Sequence, residues 1–164
     1  MKTLEDMKKA IIILLLAWVC LASYCTKPRK ENDNCHTAIR FSNNTSKALY
    51  IMDYPLAHYF PDPFDITNLP RGYKVNSGEQ NNRKMRVHDE CLEIYIKNSM
   101  GTVFVYVFDA EIIENTEWKV VKRDYLVLKR YDVSLKDLQQ LDWTITYPPD
   151  ERMKDIKQWP PYGE

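Results

Sequence analysis

The sequence predicts a mainly β protein, built as a single antiparallel β-sandwich-like domain with one or two short helices. Short runs rich in β-branched and aromatic residues recur along the chain, and turn residues separate most of them. Hairpin-type turns outnumber helical crossovers, which favours antiparallel pairing. An α+β fold, with helices on one face of an antiparallel sheet, stays open as the alternative.

The first two predicted strands cover residues 36–42 and 47–53. Turn residues at 43–46 separate them, so we expect an opening hairpin. Side chains alternate between the two faces of a strand, and in the second strand this gives two pairs: Leu49 with Ile51, and Tyr50 with Met52.

Three more strands are predicted further along the chain, at 73–75, 85–97 and 102–108. The second of these rests on the alternation of polar and apolar residues in its second half. The third is apolar on both faces, which is typical of a central strand buried on both sides.

The last third of the chain predicts shorter elements: helical turns at 111–113 and 118–123, and strands at 125–131 and 143–147. Ser134 is placed to cap a brief helix, because Asp137 follows three residues later as in a capping box. Residues 150–164 are charged and proline-rich, so this tail is predicted to be loosely held.

Residues 1–24 have the pattern of a secretory signal peptide. Two lysines precede an apolar run of thirteen residues at 10–22, whereas a helix that spans a bilayer needs about 20. Two processing routes stay open: acylation of Cys25 as the first residue of a lipoprotein, or ordinary cleavage after Ala22 or Ser23. Tyr24 is larger than the residue that normally precedes a lipidated cysteine.

The number of cysteines favours the lipoprotein route. If Cys25 carries a lipid such as palmitate, the folded part keeps Cys35 and Cys91, an even pair suited to one disulfide. Without acylation, three thiols would face an oxidising compartment. The predicted disulfide closes a loop of 56 residues and should stabilise the fold by roughly 3–4 kcal/mol.

The predicted organisation is a signal peptide at 1–24, a polar tether at 25–34, one globular domain at 35–149 and the tail at 150–164. Removal of the signal peptide takes three lysines and two acidic residues from the 23 of each sign, which leaves a net charge of minus one. A nucleic-acid binder usually carries a basic excess, so nucleic acid is not an expected partner. The expected partner is a membrane, through the lipid anchor.

Several kinds of site are not expected from this sequence. The four glycines are too far apart for a dinucleotide fingerprint, a phosphate loop or a nucleophile elbow, and no cofactor is predicted. Cys35-His36 and His88 with Cys91 could supply zinc ligands. Each pair would split across the two faces of a strand, so no metal site is predicted.

The one stretch predicted to bind a ligand is the loop from Tyr54 to Gly72. Its four prolines exclude a regular helix or central strand. Its aromatic residues could stack on a sugar or anchor a protein, and the candidates are Tyr54, Tyr59, Phe60 and Phe64. The alternative is that Phe60 and Phe64 pack over a sheet edge as core.

Much of the chain, from about Ile39 to Pro148, resembles a family of small uncharacterised lipoproteins from Bacteroides-like bacteria. The segments that carry the resemblance are 43–50, 54–55, 105–118, 125–132, 134–139 and 143–148. The resemblance implies lipoprotein status and implies no activity. Lys27, Arg29 and Lys30 follow Cys25, where surface-exposed lipoproteins of these bacteria tend to be acidic, so the membrane face stays undecided.

These observations predict a non-catalytic lipoprotein of the cell envelope, with a glycan or a protein as the candidate ligand. Only three histidines are present, and none lies in a recognisable nucleophile or metal motif, so no enzyme is expected. A small secreted hydrolase and a structural subunit of an envelope complex are the alternatives.

Overall fold

A computed structural model describes residues 35–54, 73–86, 90–98 and 101–163. In these ranges the strands are β1 Ala38–Asn43, β2 Leu49–Tyr54, β3 Tyr73–Val75, β4 Gln80–Arg86, β5 Thr102–Asp109, β6 Lys129–Ser134, β7 Thr144–Tyr147 and β8 Lys157–Trp159. The helices are α1 Leu92–Asn98, α2 Ala110–Asn115, α3 Trp118–Arg123 and α4 Leu135–Gln140, with a 3₁₀ turn at Glu151–Met153. The prediction of a mainly β fold is confirmed, and the four helices also fit the α+β alternative.

The strands form two sheets. A three-stranded sheet has the order β4-β1-β7, in which β1 runs antiparallel to β4 and parallel to β7. A five-stranded sheet has the order β3-β2-β5-β6-β8, and every neighbouring pair in it is antiparallel.

The predicted opening hairpin is wrong, because β1 and β2 belong to different sheets. The chain crosses between the sheets at Asn43, which is fully buried. The Asn43 amide donates to the backbone carbonyls of Lys47, Val75 and Asn76 at 2.7, 3.2 and 3.0 Å. A buried amide needs such partners, and these three direct the chain from the end of β1 toward β2 and β3.

Strand β5 is buried on both faces, as the sequence predicts. Its valines lie on one side, in a core shared by both sheets and by α1 and α4. Tyr106 and Phe108 lie on the other side, with Phe104 partly buried beside them, in a second core covered by α2 and α3. The predicted faces of β2 are also confirmed, since Leu49 and Ile51 belong to the first core and Met52 and Tyr50 to the second.

The strand predicted over 85–97 is wrong in its second half, which forms helix α1. Leu92 and Ile96, four residues apart, are buried, whereas Ile94 between them is 43% exposed. This is the burial pattern of a helix with one inward face. The first half of that prediction overlaps strand β4, which begins earlier than expected.

Helix α4 begins with the capping box that the sequence predicts. The Ser134 hydroxyl accepts a hydrogen bond from the Asp137 backbone N–H at 3.2 Å, and the Asp137 carboxylate accepts one from the Ser134 N–H at 2.8 Å. Strand β6, which ends at this cap, starts at Lys129 rather than at Tyr125. Tyr125 has a φ of 48°, a left-handed backbone conformation that does not belong to a strand.

The expectation of a loosely held tail at 150–164 is corrected by the structure. Met153 and Ile156 are buried in the first core, and β8 pairs with β6. Lys129 is only 2% exposed, and its ammonium donates to the carbonyls of Pro160 and Pro161 at 2.6 and 2.9 Å. A buried ammonium is costly without such acceptors, so Lys129 holds the segment after β8 in place.

The predicted disulfide between Cys35 and Cys91 is present, with a Cα–Cα separation of 4.9 Å. It joins Cys35, three residues before the start of β1, to Cys91, the residue that precedes α1, across 56 positions of the sequence. No helix within the described residues is long and apolar enough to cross a membrane.

We expect the double variant Cys35→Ala/Cys91→Ala to lose roughly 3–4 kcal/mol of unfolding free energy, because the disulfide restricts the unfolded chain. Urea unfolding followed by fluorescence measures this change. The same loss should appear when the wild-type protein is reduced. If a reductant lowers the unfolding free energy of the double variant as much as that of the wild type, the stabilisation does not come from the Cys35–Cys91 disulfide.

Candidate binding cleft

A cleft of about 530 Å³ lies at the β6–β8 edge of the five-stranded sheet. Its lining residues are Tyr125, Arg130, Asp132, Lys157, Gln158 and Trp159. Three of these six come from the tail that the sequence analysis expected to be loose.

The register of β6 and β8 explains why the charged residues converge. Arg130 is paired with Trp159, and Asp132 with Lys157. Residues directly opposite each other in an antiparallel pair share one face of the sheet. Tyr131, which lies between the two charged residues of β6, is fully buried in the first core on the other face. The alternation of β6 therefore directs Arg130 and Asp132 into the cleft.

The Arg130 side chain packs over the aromatic side of β5. Its guanidinium carbon is 4.7 Å from the centroid of the Phe104 ring and 5.8 Å from that of Tyr106. These distances are within the range of a cation–π interaction. Arg130, which lines the cleft, thus packs on the aromatic row that contributes to the second core.

Arg130 also makes a two-pronged ion pair. Its Nε and Nη2 donate to the Asp132 carboxylate oxygens at 2.6 and 3.1 Å. Burial lowers the pKa of Arg130, but the hydrogen bond and the charge of Asp132 act in the opposite direction, and the pKa lies above its ordinary value. Arg130 is therefore a permanent cation whose orientation is held by both the ring contacts and the bidentate pair.

Asp132 is shared by two cations. Its Oδ2 is 2.9 Å from the Lys157 ammonium, and the Asp132 side chain is 7% exposed against 83% for Lys157. The three charged side chains that line the cleft sum to one positive charge. The carboxylate is covered, and the excess charge lies on the ammonium at the surface.

Trp159 presents the largest apolar surface of the cleft. It is 49% exposed, and it meets the Tyr125 ring edge to face, with centroids 4.8 Å apart and planes at 81°. An aromatic ring that stays exposed on a paired strand is available for stacking. The arrangement suits ligand binding, because an exposed aromatic ring lies beside the charged groups of Arg130, Asp132 and Lys157.

A second polar cluster surrounds the disulfide. The His36 Nδ1 and Glu93 Oε1 are 2.6 Å apart, and the His36 backbone N–H is within 3.2 Å of both Glu93 oxygens. The His36 ring stacks on Trp143 at 4.1 Å. In the described part of the chain, no hydroxyl or thiol group is hydrogen-bonded to His36, so the pair does not form a nucleophile–base dyad there.

The remaining residues singled out by the sequence fall in different places. Cys35 and Cys91 are bonded to each other, so neither can supply a thiolate to the zinc site considered in the sequence analysis. No group of three metal-ligating side chains occurs among the residues that the structure describes. The backbone of Tyr54 ends β2 opposite Phe104, the residue beneath Arg130. The other candidates lie outside the described residues: Cys25, Tyr59, Phe60, Phe64 and His88.

The sequence analysis missed the cleft residues Arg130, Asp132, Lys157 and Trp159. Two signals could have indicated them: a pair of opposite charges two residues apart where a predicted strand ends, and a charged residue two positions before a tryptophan in the tail. Neither signal shows that the two segments pair. The pairing of β6 with β8 is what makes the site.

Comparisons with known proteins identify no relative of this chain, since no family, curated protein or solved structure matches it.

We expect Glu93→Gln to lower the midpoint of urea unfolding at pH 6.5. The difference in midpoint between this variant and the wild type should shrink as the pH falls. Burial raises the pKa of Glu93, but the hydrogen bonds from His36 outweigh it, and the pKa lies below its ordinary 4.5. A carboxyl whose pKa is lower in the folded state stabilises the fold at pH values above its unfolded pKa. This stabilisation is lost as the pH falls through the pKa of the folded state.

Urea midpoints measured in steps from pH 6.5 into the acidic range, through the lowered pKa of the folded carboxyl, follow this dependence. The control is Glu117→Gln, since that side chain is 70% exposed and should change little over this pH range. If the midpoint of Glu93→Gln stays below that of the wild type by the same amount at acidic pH, the stabilising role of the ionised Glu93 is contradicted.

Proposed function

We propose that this protein is a non-catalytic, lipid-anchored protein of the cell envelope that binds a carbohydrate in the cleft beside β8. The observation that carries the proposal is the exposed Trp159 ring, held edge to face by Tyr125 next to the Arg130–Asp132–Lys157 ion pairs.

The combination of groups in the cleft fits a sugar. A sugar ring has an apolar face of C–H groups, which packs on an aromatic ring, and a rim of hydroxyls, which bond to charged and planar side chains. A cleft of about 530 Å³ is within the usual range for small-molecule sites. It has room for a short stretch of an oligosaccharide.

A protein partner is less well supported as the ligand. A specific interface buries about 800 Å² on each side around a cluster of apolar anchors. In the described residues, the exposed large apolar side chains lie on separate elements: Tyr73 on β3, Ile94 on α1, Trp159 on β8 and Tyr162 beyond it. The cleft therefore favours a small ligand over a broad protein surface.

The charge arrangement supports binding without hydrolysis. Glycosidases usually place two carboxyl groups on opposite sides of the scissile bond, about 5–9.5 Å apart. Among the described residues that line the cleft, Asp132 is the one carboxylate, and Arg130 and Lys157 both bind it. The described lining therefore lacks the pair of carboxyl groups that glycoside hydrolysis usually uses.

The anchor part of the proposal rests on the N-terminal sequence and on the resemblance to small envelope lipoproteins. The disulfide uses both cysteines of the domain, so Cys25 is the remaining thiol once residues 1–24 are removed. An acylated Cys25 leaves no unpaired thiol in an oxidising compartment. The polar stretch that follows it is suited to hold the domain away from the bilayer.

We expect the full-length wild type, expressed in a bacterium that processes lipoproteins, to sediment with membranes and Cys25→Ala to be released into the soluble fraction. Mass analysis of the mature N-terminus gives the modification directly and should show an acylated Cys25. A wild-type chain that begins at Ser23 or Tyr24 without lipid would refute the anchor.

We expect Trp159→Ala to weaken glycan binding at least about tenfold, because it removes the stacking surface. A glycan array identifies the ligand, and calorimetry then compares affinities. The matched control is Tyr162→Ala, an aromatic of the same tail that is 37% exposed and lies outside the cleft lining. Its affinity should stay within about twofold of the wild type.

A second arm separates the cleft from the loop predicted from the sequence. The triple variant Tyr59→Ala/Phe60→Ala/Phe64→Ala removes the loop aromatics. Binding that disappears in the triple variant and persists in Trp159→Ala would assign the ligand to the loop and overturn the cleft. A wild type that binds no glycan and captures a protein instead would overturn the carbohydrate proposal.

A further inference from the structure

We propose that the cleft selects acidic sugars, with the sugar ring packed on Trp159 and its carboxylate paired with Lys157. This inference rests on the proposed carbohydrate site and names its ligand class. It concerns the charge of the ligand, so it can fail while the carbohydrate site stands.

The first argument is the charge that is left over. Asp132 balances one of its two cations, and the three side chains together keep one positive charge. Arg130 forms the tighter, two-pronged pair at 2.6 and 3.1 Å, whereas Lys157 makes a single contact at 2.9 Å. The unbalanced charge therefore belongs to Lys157, and a ligand with one negative charge would neutralise it.

The second argument is the accessibility of Lys157. Its side chain is 83% exposed, and an ammonium has three donors. The contact with Asp132 uses one of them. A carboxylate that enters from solvent can bond to the others while Asp132 stays paired with Arg130, so binding does not leave a buried charge alone.

The third argument is the spacing of Lys157 and Trp159. The two residues are two positions apart on β8, so they share a face at about 6–7 Å along the strand. A single sugar unit can lie on the indole ring and extend its carboxylate to the ammonium within that distance. A neutral sugar would stack equally well and leave the charge of Lys157 unmatched.

The test compares each acidic sugar with its own methyl ester, which keeps the ring and removes the charge. The probes are oligosaccharides of galacturonate, glucuronate and mannuronate, measured by calorimetry on the full-length protein. We expect at least one acid form to bind about tenfold or more tightly than its ester at low salt. The preference should shrink at about 0.5 M salt, because Lys157 is exposed and its charge is screened.

Two variants locate the effect. Lys157→Gln should bring the acid and the ester to within about threefold, because only the acid loses an ionic partner. Lys154→Gln is the matched control, since it is a lysine of the same tail, 53% exposed, outside the cleft lining. It should keep the full preference for the acid.

Each other outcome contradicts one of the two proposals. Equal binding of acid and ester, lost in both cases in Trp159→Ala, would overturn the selection by charge and leave the carbohydrate site in place. An equal loss of preference in Lys154→Gln would assign it to overall charge and also overturn the inference. Failure of the wild type to bind any acidic or neutral sugar would refute the proposed function itself.

Discussion

Strand β5 is the constraint on which the other layers depend. Its valines and its aromatic residues alternate, so neither face of the sheet around it can be left to solvent. The valine side is covered by the three-stranded sheet together with α1 and α4, and the aromatic side by α2 and α3. On the same side, the Arg130 side chain covers the Phe104 ring. The cleft therefore lies next to the aromatic side of the core.

The cleft also depends on the last strand of the sheet. Trp159 and Lys157 reach it only because β8 pairs with β6, and three residues of pairing hold a strand weakly. The additional attachments come from Met153 and Ile156 in the core and from Lys129, which binds the carbonyls that follow Trp159. The short strand β8 thus depends on these attachments to bring Lys157 and Trp159 next to the cleft residues of β6.

The features predicted from the sequence are those that short-range pattern determines. The two apolar faces of 102–108, the faces of β2 and the Ser134 cap each follow from residues within one element. The sequence predicts a strand in place of helix α1 because Leu92, Ile94 and Ile96 occupy every second position, as the apolar face of a strand would. The structure shows a helix instead, in which Leu92 and Ile96 are buried and Ile94 is exposed. The cleft could not be predicted, since Arg130 and Trp159 are 29 positions apart and meet only through strand pairing. The one long-range contact that was predicted, between Cys35 and Cys91, came from counting thiols.

That covalent link would have a mechanical consequence if the proposed lipid anchor holds the protein by its N-terminal side. A pull on the chain ahead of Cys35 reaches β1 and, through the sulfur bridge, the start of α1 at the same time. Strand β1 is the middle strand of its sheet, bonded to a neighbour on each side. The load is consequently divided between a central strand and a helix seated in the main core, and it cannot peel β1 away one hydrogen bond at a time. Under the proposed anchoring, shear at the membrane surface would have to disrupt both elements together before the domain began to unravel from its N-terminal end.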